Sequence, residues 1–216
     1  MDYSSSMLYR LYCYKAFGYR YIDENVLMFD EFSHFRTLDE LKSELKNCQL
    51  CPFSKSRNNV VVSKKSLAKL MVVMENPTVS DDLSGEMFVG NLATMLKEML
   101  KEHGGVSEDD IYGSFLVKCK APKNGAVTSE SVLRCSPYLF DEIKKLNPKV
   151  ILTVGEICSK VVLKDENLPN LQISHGSIFK EGGAFVMPVF DMEYVLTNPS
   201  KKGLLIEDIK KIRELL

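Results

Sequence analysis

Four of the six cysteines in this 216-residue chain have the spacing of possible metal ligands. Cys48 and Cys51 are separated by two residues, which lets both thiolates face one metal centre, as in zinc ribbons and iron–sulfur sites. Cys119 and Cys135 are single cysteines far along the chain, whereas zinc sites usually repeat the close pair. The spacing leaves a metal site, a redox pair and buried thiols all open.

The two remaining cysteines, Cys13 and Cys158, lie in apolar runs and are predicted to pack in the core. A hydrophobic content of 45% and a charged content of 26% predict one globular domain. The net charge of -1 gives no overall basic field, so nucleic-acid binding would need a local patch. Because there is no signal-peptide pattern and no long apolar run, we expect a cytoplasmic chain with reduced thiols and no membrane contact.

Alternating strands and helices must position these cysteines. Apolar runs predict strands near residues 70–74, 111–117, 150–154 and 185–189, and helical periodicity predicts helices near residues 92–102, 129–146, 156–163 and 204–216. A capping-box pattern, Thr37-Leu-Asp-Glu40, predicts a further helix that runs into Cys48. This order predicts a three-layer α/β/α fold with a central, mainly parallel, four-stranded sheet.

The chain divides into two predicted regions. Residues 1–36 are rich in tyrosine and phenylalanine and are predicted to form a helical extension that packs on the core, with nucleic-acid stacking as the alternative. Residues 37–216 form the α/β domain. Because ligands of open sheets bind outside the carboxyl ends of the strands, the loops beginning at Glu75, Lys118 and Asp191 are the candidate site.

Several segments resemble, in order, the family 4 uracil-DNA glycosylases, the iron–sulfur branch of the uracil-DNA glycosylase superfamily. They are Cys-Gln-Leu-Cys-Pro at 48–52, Met-Phe-Val-Gly at 87–90, Val-Lys-Cys-Lys-Ala-Pro at 117–122, Cys-Ser-Pro-Tyr-Leu at 135–139, His-Gly at 175–176 and Asn-Pro-Ser at 198–200. The resemblance runs from about Thr37 to the C-terminus. It implies a 4Fe-4S cluster bound by Cys48, Cys51, Cys119 and Cys135, with DNA as the partner.

The first catalytic loop of that family usually reads Gly-Glu-Ala-Pro-Gly, followed by an acidic stretch. Here Met74 and Thr78 replace the two glycines, which would crowd the floor of the pocket. Glu75 and Asp81 remain as candidate catalytic residues, and Asn76 beside them is a candidate substrate contact. A solvated loop acid is the alternative interpretation of Glu75.

The base-reading positions differ more strongly from the family pattern. Phe88 matches the aromatic residue that stacks on the flipped base, although core packing is its alternative. Phe115 replaces the asparagine that reads the uracil edge, and a phenyl ring cannot supply that donor and acceptor pair. Asp191 replaces the histidine that stabilises the leaving base, so it could activate water or remain a solvated acid. His175 is a weaker candidate for a replacement catalyst.

The segments that would face the DNA backbone are closer to the family pattern. Ser200, Lys201 and Lys202 resemble the loop that grips phosphate, where hydroxyl and ammonium groups suit a DNA strand. Lys118, Lys120 and Lys123 are predicted to form a second positive cluster. We therefore expect DNA to bind through a local basic patch.

Two functions remain open at this point. The first is an iron–sulfur glycosylase of base-excision repair that excises a deaminated or damaged base with altered specificity. The second is a catalytically inactive relative that binds nucleic acid or protein, with its pocket filled by Met74, Phe115 and Met192. A redox-sensing cluster is a third, weaker alternative.

Overall fold

The computed structural model describes residues 11, 14, 15, 18, 35–123 and 125–216. The extension predicted for residues 1–36 lies almost wholly outside these ranges. The described part contains the α/β domain predicted for residues 37–216, apart from Asn124.

A five-stranded sheet forms the centre of the described chain, with the strand order β2-β1-β3-β5-β4. The strands are β1 (Leu70–Met74), β2 (Ile111–Phe115), β3 (Val150–Val154), β4 (Phe179–Glu181) and β5 (Ala184–Val189). Neighbouring strands are parallel except β4 and β5, which are antiparallel. The mainly parallel sheet is confirmed, but it has one strand more than the four predicted. Strand β4 carries no apolar pattern, because it has three residues and none is fully buried.

Helices cover both faces of the sheet. Those in the described ranges are α1 (Leu38–Lys46), α2 (Val79–Ser84), α3 (Asn91–Glu102), α4 (Ser129–Leu146), α5 (Glu156–Leu163), α6 (Leu171–Ser174), α7 (Met192–Thr197) and α8 (Lys202–Leu215). One half of the predicted capping box of α1 is confirmed, because the Thr37 hydroxyl accepts a hydrogen bond from Glu40 N at 3.1 Å. The Glu40 carboxylate accepts instead from Arg36 N at 2.7 Å. No helix in the described part of the chain is long and apolar enough to cross a lipid bilayer.

Alternate residues of each strand point into two separate cores. In β1, Leu70 and Val72 belong to one core, whereas Met71 and Val73 belong to the other. Helices α3, α7 and α8 contribute to the first core, and α1, α4 and α5 contribute to the second. The structure therefore confirms the three-layer α/β/α fold.

Strands β1 and β3 flank a topological switch point. The chain leaves β1 for β2 on one side and later returns to β3 on the other side. In open α/β sheets, ligands bind at such a point, outside the carboxyl ends of the strands. The residues that follow β1, β3 and β5 therefore border the expected ligand site.

Candidate functional site

Two acidic residues flank this switch point. Glu75 directly follows β1, and Asp191 lies two residues after β5. Between them, Gly155 follows β3 with a φ of 95°, and a Cβ added to it would lie 3.9 Å from Asp191 Cβ. The charge of Asp191 acts on Glu75. The structure therefore brings together two of the three predicted catalytic residues.

Asp191 is held in place as the N-cap of α7. Its Oδ1 accepts hydrogen bonds from the backbone N–H groups of Glu193 at 2.8 Å and Tyr194 at 3.2 Å. Such an arrangement suits a carboxylate at the positive end of a helix. The Asp191 carboxylate is therefore fixed in position by the backbone.

We expect Glu75→Gln to raise the unfolding temperature by about 1–2 °C near pH 8 and to bring a smaller gain near pH 5, after allowing for solvent screening. Burial raises the pKa of Glu75, and the charge of Asp191 raises it further. The stability contributed by the neutral carboxyl is present below the unfolded pKa and is lost as the pH rises through the folded pKa. Thermal unfolding at both pH values tests this, with the exposed Glu193→Gln as the control. Equal shifts at both pH values would contradict the expectation.

Asp81, the third predicted catalytic residue, is buried and holds the loop after β1 together. Its Oδ2 accepts hydrogen bonds from Thr78 N at 2.8 Å and Thr78 Oγ1 at 2.7 Å, and its Oδ1 accepts one from Val89 N at 2.8 Å. Both oxygens are used inside the fold, so the structure favours a positioning role over the predicted catalytic one. Asn76 is half-buried, and its side-chain amide donates to the Pro77 carbonyl at 3.1 Å.

The two predicted base-contacting rings pack against each other. Phe88 and Phe115 are 4% and 1% exposed and meet edge to face, with 5.6 Å between their ring centroids. Met192 is fully buried in the same core, and Met74 packs against that core. A base can therefore lie between the two rings only if one of them moves.

The predicted phosphate-gripping loop packs near Phe190 and Gln172. Lys201 Nζ donates to Gln172 Oε1 at 2.7 Å and lies 5.6 Å from the ring centroid of Phe190, the residue before Asp191. Ser200 and Lys202 are exposed where the chain enters the 14-residue helix α8. Exposed ammonium groups beside a helix N-terminus suit an anionic ligand.

Lys118 is buried, and its prediction as part of an exposed positive cluster is wrong. Its side chain is 1% exposed, and Nζ donates to Glu142 Oε2 at 2.5 Å, Ser114 Oγ at 2.5 Å and Phe115 O at 2.7 Å. The charge is neutralised inside the second core and cannot reach DNA. Lys120 is half-buried and donates to Ala121 O at 3.0 Å.

The four predicted metal-binding cysteines line one small cavity. Cys48 and Cys51 follow α1, Cys119 follows β2, and Cys135 lies within α4. Among the residues that the structure describes, no three cysteine, histidine or acidic side chains are grouped so that they could hold one metal ion. The four cysteines therefore share a cavity, although the described residues form no single-ion site there.

Hydrogen-bond donors face these sulfur atoms. Arg57 Nη1 donates to Cys119 Sγ at 3.3 Å, its Nη2 donates to Cys48 O at 2.6 Å, and Lys118 N donates to Cys135 Sγ at 3.3 Å. Burial raises the pKa of Cys119 to about 11 and the pKa of Cys135 to about 12. Because metals bind the thiolate, a metal at this cavity would displace these protons.

Comparison with known proteins identifies the family. Residues 62–213 match the family model of the Uracil DNA glycosylase superfamily. The chain belongs to the uracil-DNA glycosylase superfamily. It is similar to the Type-4 uracil-DNA glycosylases of Sulfurisphaera tokodaii (32% identity over 186 residues), Saccharolobus solfataricus (31% over 191 residues) and Thermotoga maritima (32% over 183 residues). These alignments cover 83% of this chain and 84%, 86% and 95% of the respective relatives. The resemblance drawn from the sequence is confirmed.

Two arginines add to what the sequence suggested about this uracil-DNA glycosylase superfamily member. Arg57 contacts the cysteine cavity as described above, and Arg134 Nη1 donates to Leu50 O at 2.6 Å, which ties the loop between Cys48 and Cys51 to α4. A sequence signal was present, because Arg134 directly precedes Cys135.

His175, the weaker catalytic candidate, joins two helices. Its Nδ1 lies 2.7 Å from Oδ2 of the buried Asp208 on α8, and its ring lies 4.5 Å from the Phe190 ring. Lys211 also pairs with Asp208, at 3.2 Å, and donates to Gly176 O at 2.8 Å. These contacts assign His175 to fastening the end of α6 onto α8.

Proposed function

We propose that this protein is an iron–sulfur DNA glycosylase of base-excision repair that excises a damaged base without the usual uracil-reading amide. The observation that supports the proposal is the placement of Glu75 and Asp191 on either side of Gly155, at the switch point of a uracil-DNA glycosylase superfamily fold. Hydrolysis of an N-glycosidic bond passes through a positively charged sugar, which nearby carboxylates stabilise while one of them can orient water.

Specificity for uracil is not expected from this pocket. Phe115, 1% exposed, offers no hydrogen bond to a base edge, and its ring already contacts Phe88. A site that reads a base by hydrogen bonds discriminates far better than an apolar one. The proposed activity is therefore directed to another deaminated or damaged base, presented by flipping it out of the DNA stack.

The residues around the cysteine cavity fit a 4Fe-4S cluster. Four cysteines line one cavity, and Arg57 and the Lys118 backbone supply N–H donors to two of the sulfurs. Cys48, Cys51, Cys119 and Cys135 would hold the cluster. When bound, it would serve as a structural cross-link between the end of α1, the loop after β2 and helix α4.

DNA is the proposed partner, and Lys201 and Lys202 are expected to contact its phosphates. We expect Lys201→Ala/Lys202→Ala to weaken binding about tenfold and to reduce the slope of log affinity against log salt by about 2. Fluorescence anisotropy of a labelled duplex over a salt series measures both. Lys101→Ala/Lys144→Ala is the matched control, because both lysines are exposed at the opposite end of the sheet. An equal loss in the control would contradict the assignment.

An inactive nucleic-acid- or protein-binding relative is the second candidate, because Phe88, Phe115 and Met192 fill the core beside the crevice. The deciding experiment is an excision assay on oligonucleotides that carry uracil, hypoxanthine or xanthine, with anaerobically purified full-length protein. Excision of a base that is lost in Glu75→Gln supports the enzyme. DNA binding with no excision supports the second candidate.

A further inference from the structure

Glu75 and Asp191 also restrict which base the protein can excise. This inference rests on the proposed glycosylase function. Uracil leaves as an anion when its glycosidic bond breaks without protonation. A site stabilises a leaving group by charges of the opposite sign. Glu75 and Asp191 have the wrong sign for an anion, since each can contribute only a negative or a neutral group.

The charges around Glu75 also disfavour an anionic leaving base. Asp191 is the charged neighbour that acts on Glu75, and it raises the pKa of Glu75 in the same direction as burial does. The buried Lys118, which follows β2, forms its ion pair with Glu142. The electrostatic environment of Glu75 therefore favours a group that donates a proton over one that stabilises a negative charge.

We propose that the substrate is a deoxynucleotide with a deaminated purine, such as hypoxanthine, and that the Glu75 carboxyl protonates the leaving base. The C1′–N9 bond breaks, its electron pair stays on the base, and the Glu75 proton moves to N7, so the base departs neutral. The Asp191 carboxylate faces the positive charge that develops on the sugar. Water then adds to C1′ and returns a proton to Glu75, which leaves free hypoxanthine and an abasic site.

The fixed geometry of the pair supports this division of roles. Two backbone N–H groups hold the Asp191 carboxylate at the N-terminus of α7. Gly155 places no side chain between β1 and β5, and a Cβ there would be in van der Waals contact with Asp191 Cβ. The gap beside the two acids is therefore free of a side chain from β3, the strand that separates them.

The phenylalanine pair does not discriminate between bases, so the two acids must determine which base is excised. Phe88 and Phe115 are buried against each other, and neither ring can form a hydrogen bond that reads a base edge. Purines offer the larger ring surface, and their N7 is a proton acceptor that uracil lacks. The choice of base would therefore depend on protonation of its N7 and not on hydrogen bonds to its edge.

The test compares single-turnover excision of 2′-deoxyuridine, 2′-deoxyinosine and 7-deaza-2′-deoxyinosine from the same duplex by the full-length protein. We expect deoxyinosine to react at least about tenfold faster than deoxyuridine, and the 7-deaza analogue to lose about a hundredfold, because its position 7 cannot take the proton. Glu75→Gln should slow excision of deoxyinosine by a similar factor. It should slow excision of the 7-deaza analogue little further, because the substitution and the analogue remove the same proton transfer from Glu75 to N7. The rate should fall as the pH rises through the pKa of Glu75.

Glu193→Gln, an exposed neighbour of Asp191, is the control and should keep the wild-type rate. Equal rates on deoxyinosine and its 7-deaza analogue, or faster excision of uracil, would overturn the purine inference and leave the glycosylase proposal standing. No excision of any base would overturn both. The analogue comparison uses the wild-type protein, so it remains decisive even if a Glu75 variant folds poorly.

Discussion

Replacing Lys118 with methionine is expected to lower the free energy of unfolding by about 3–5 kcal/mol. The substitution keeps most of the side-chain volume but leaves the Glu142 carboxylate, 1% exposed, without its cation. The hydroxyls of Tyr112 and Ser114 still donate to Glu142, at 3.0 Å and 2.6 Å. Two neutral donors do not offset the cost of a buried, unpaired charge. In a chain of this size the unfolding temperature should fall by roughly 10 °C.

A double substitution separates the charge pair from its packing. Lys118→Met/Glu142→Gln removes both charges and keeps an acceptor for the two hydroxyls, so it should recover most of the lost stability. Lys160→Met is the surface control, because its 2.8 Å pair with Glu156 is solvent-exposed and should be worth less than about 1 kcal/mol. Thermal unfolding of all variants in the same cluster state makes the comparison. A loss in Lys118→Met no larger than in the control would contradict the assigned role of the pair.

Lys118 also illustrates what the sequence could not predict. Its partner Glu142 lies 24 residues away on another element, and such a long-range pair leaves no local pattern. The neighbouring residues Val117 and Cys119 do not distinguish a buried lysine from an exposed one in a loop. The assignment to a DNA-facing cluster failed because tertiary burial, and not local composition, decides where this charge lies.

Elements with a strong local pattern were predictable. The bounds of β1, α4, β3 and α5 coincide with the apolar runs and helical periodicity, because burial on one or both faces imposes that pattern. The short helix α2 escaped prediction, although Thr78 and Asp81 form a capping box whose sequence signal was present. That signal would have assigned Asp81 to the helix start and not to catalysis.

The candidate site was predictable in part for a topological reason. The carboxyl ends of parallel strands share one edge, so Glu75 after β1 and Asp191 after β5 were expected near each other. The direct contact of Phe88 with Phe115 was not, because Phe88 adopts a left-handed backbone conformation with a φ of 58° that its sequence does not reveal.

Replacing Cys119 with serine is expected to remove most of the iron and the visible iron–sulfur absorption from the anaerobically purified protein. Wild-type protein should contain about four iron atoms per chain if a 4Fe-4S cluster is bound. Serine keeps the size of the side chain, and Arg57, 3.3 Å from the sulfur, can still donate to its oxygen. The substitution should therefore disturb packing little, so the loss of iron should result from the missing thiolate ligand.

The variant that loses iron should also be less stable than the wild-type protein. A group that binds only the folded state adds about 4 kcal/mol at a thousandfold excess over its dissociation constant. Its loss should lower the unfolding temperature by roughly 10 °C, because the end of α1, the loop after β2 and helix α4 lose their common link. Cys158→Ala is the matched control, because this fully buried cysteine lies on α5, outside the residues that line the cysteine cavity.

The comparison separates three interpretations of the cysteines. Loss of iron in Cys119→Ser but not in Cys158→Ala supports a cluster bound by the cavity cysteines. Zinc without iron in the wild-type protein would contradict the cluster, and it would also require the four thiols to close in to about 2.3 Å from one point. Equal stability of both variants with no metal in either would identify the four cysteines as buried thiols. The position of all four cysteines around one cavity is the reason that we favour the first outcome.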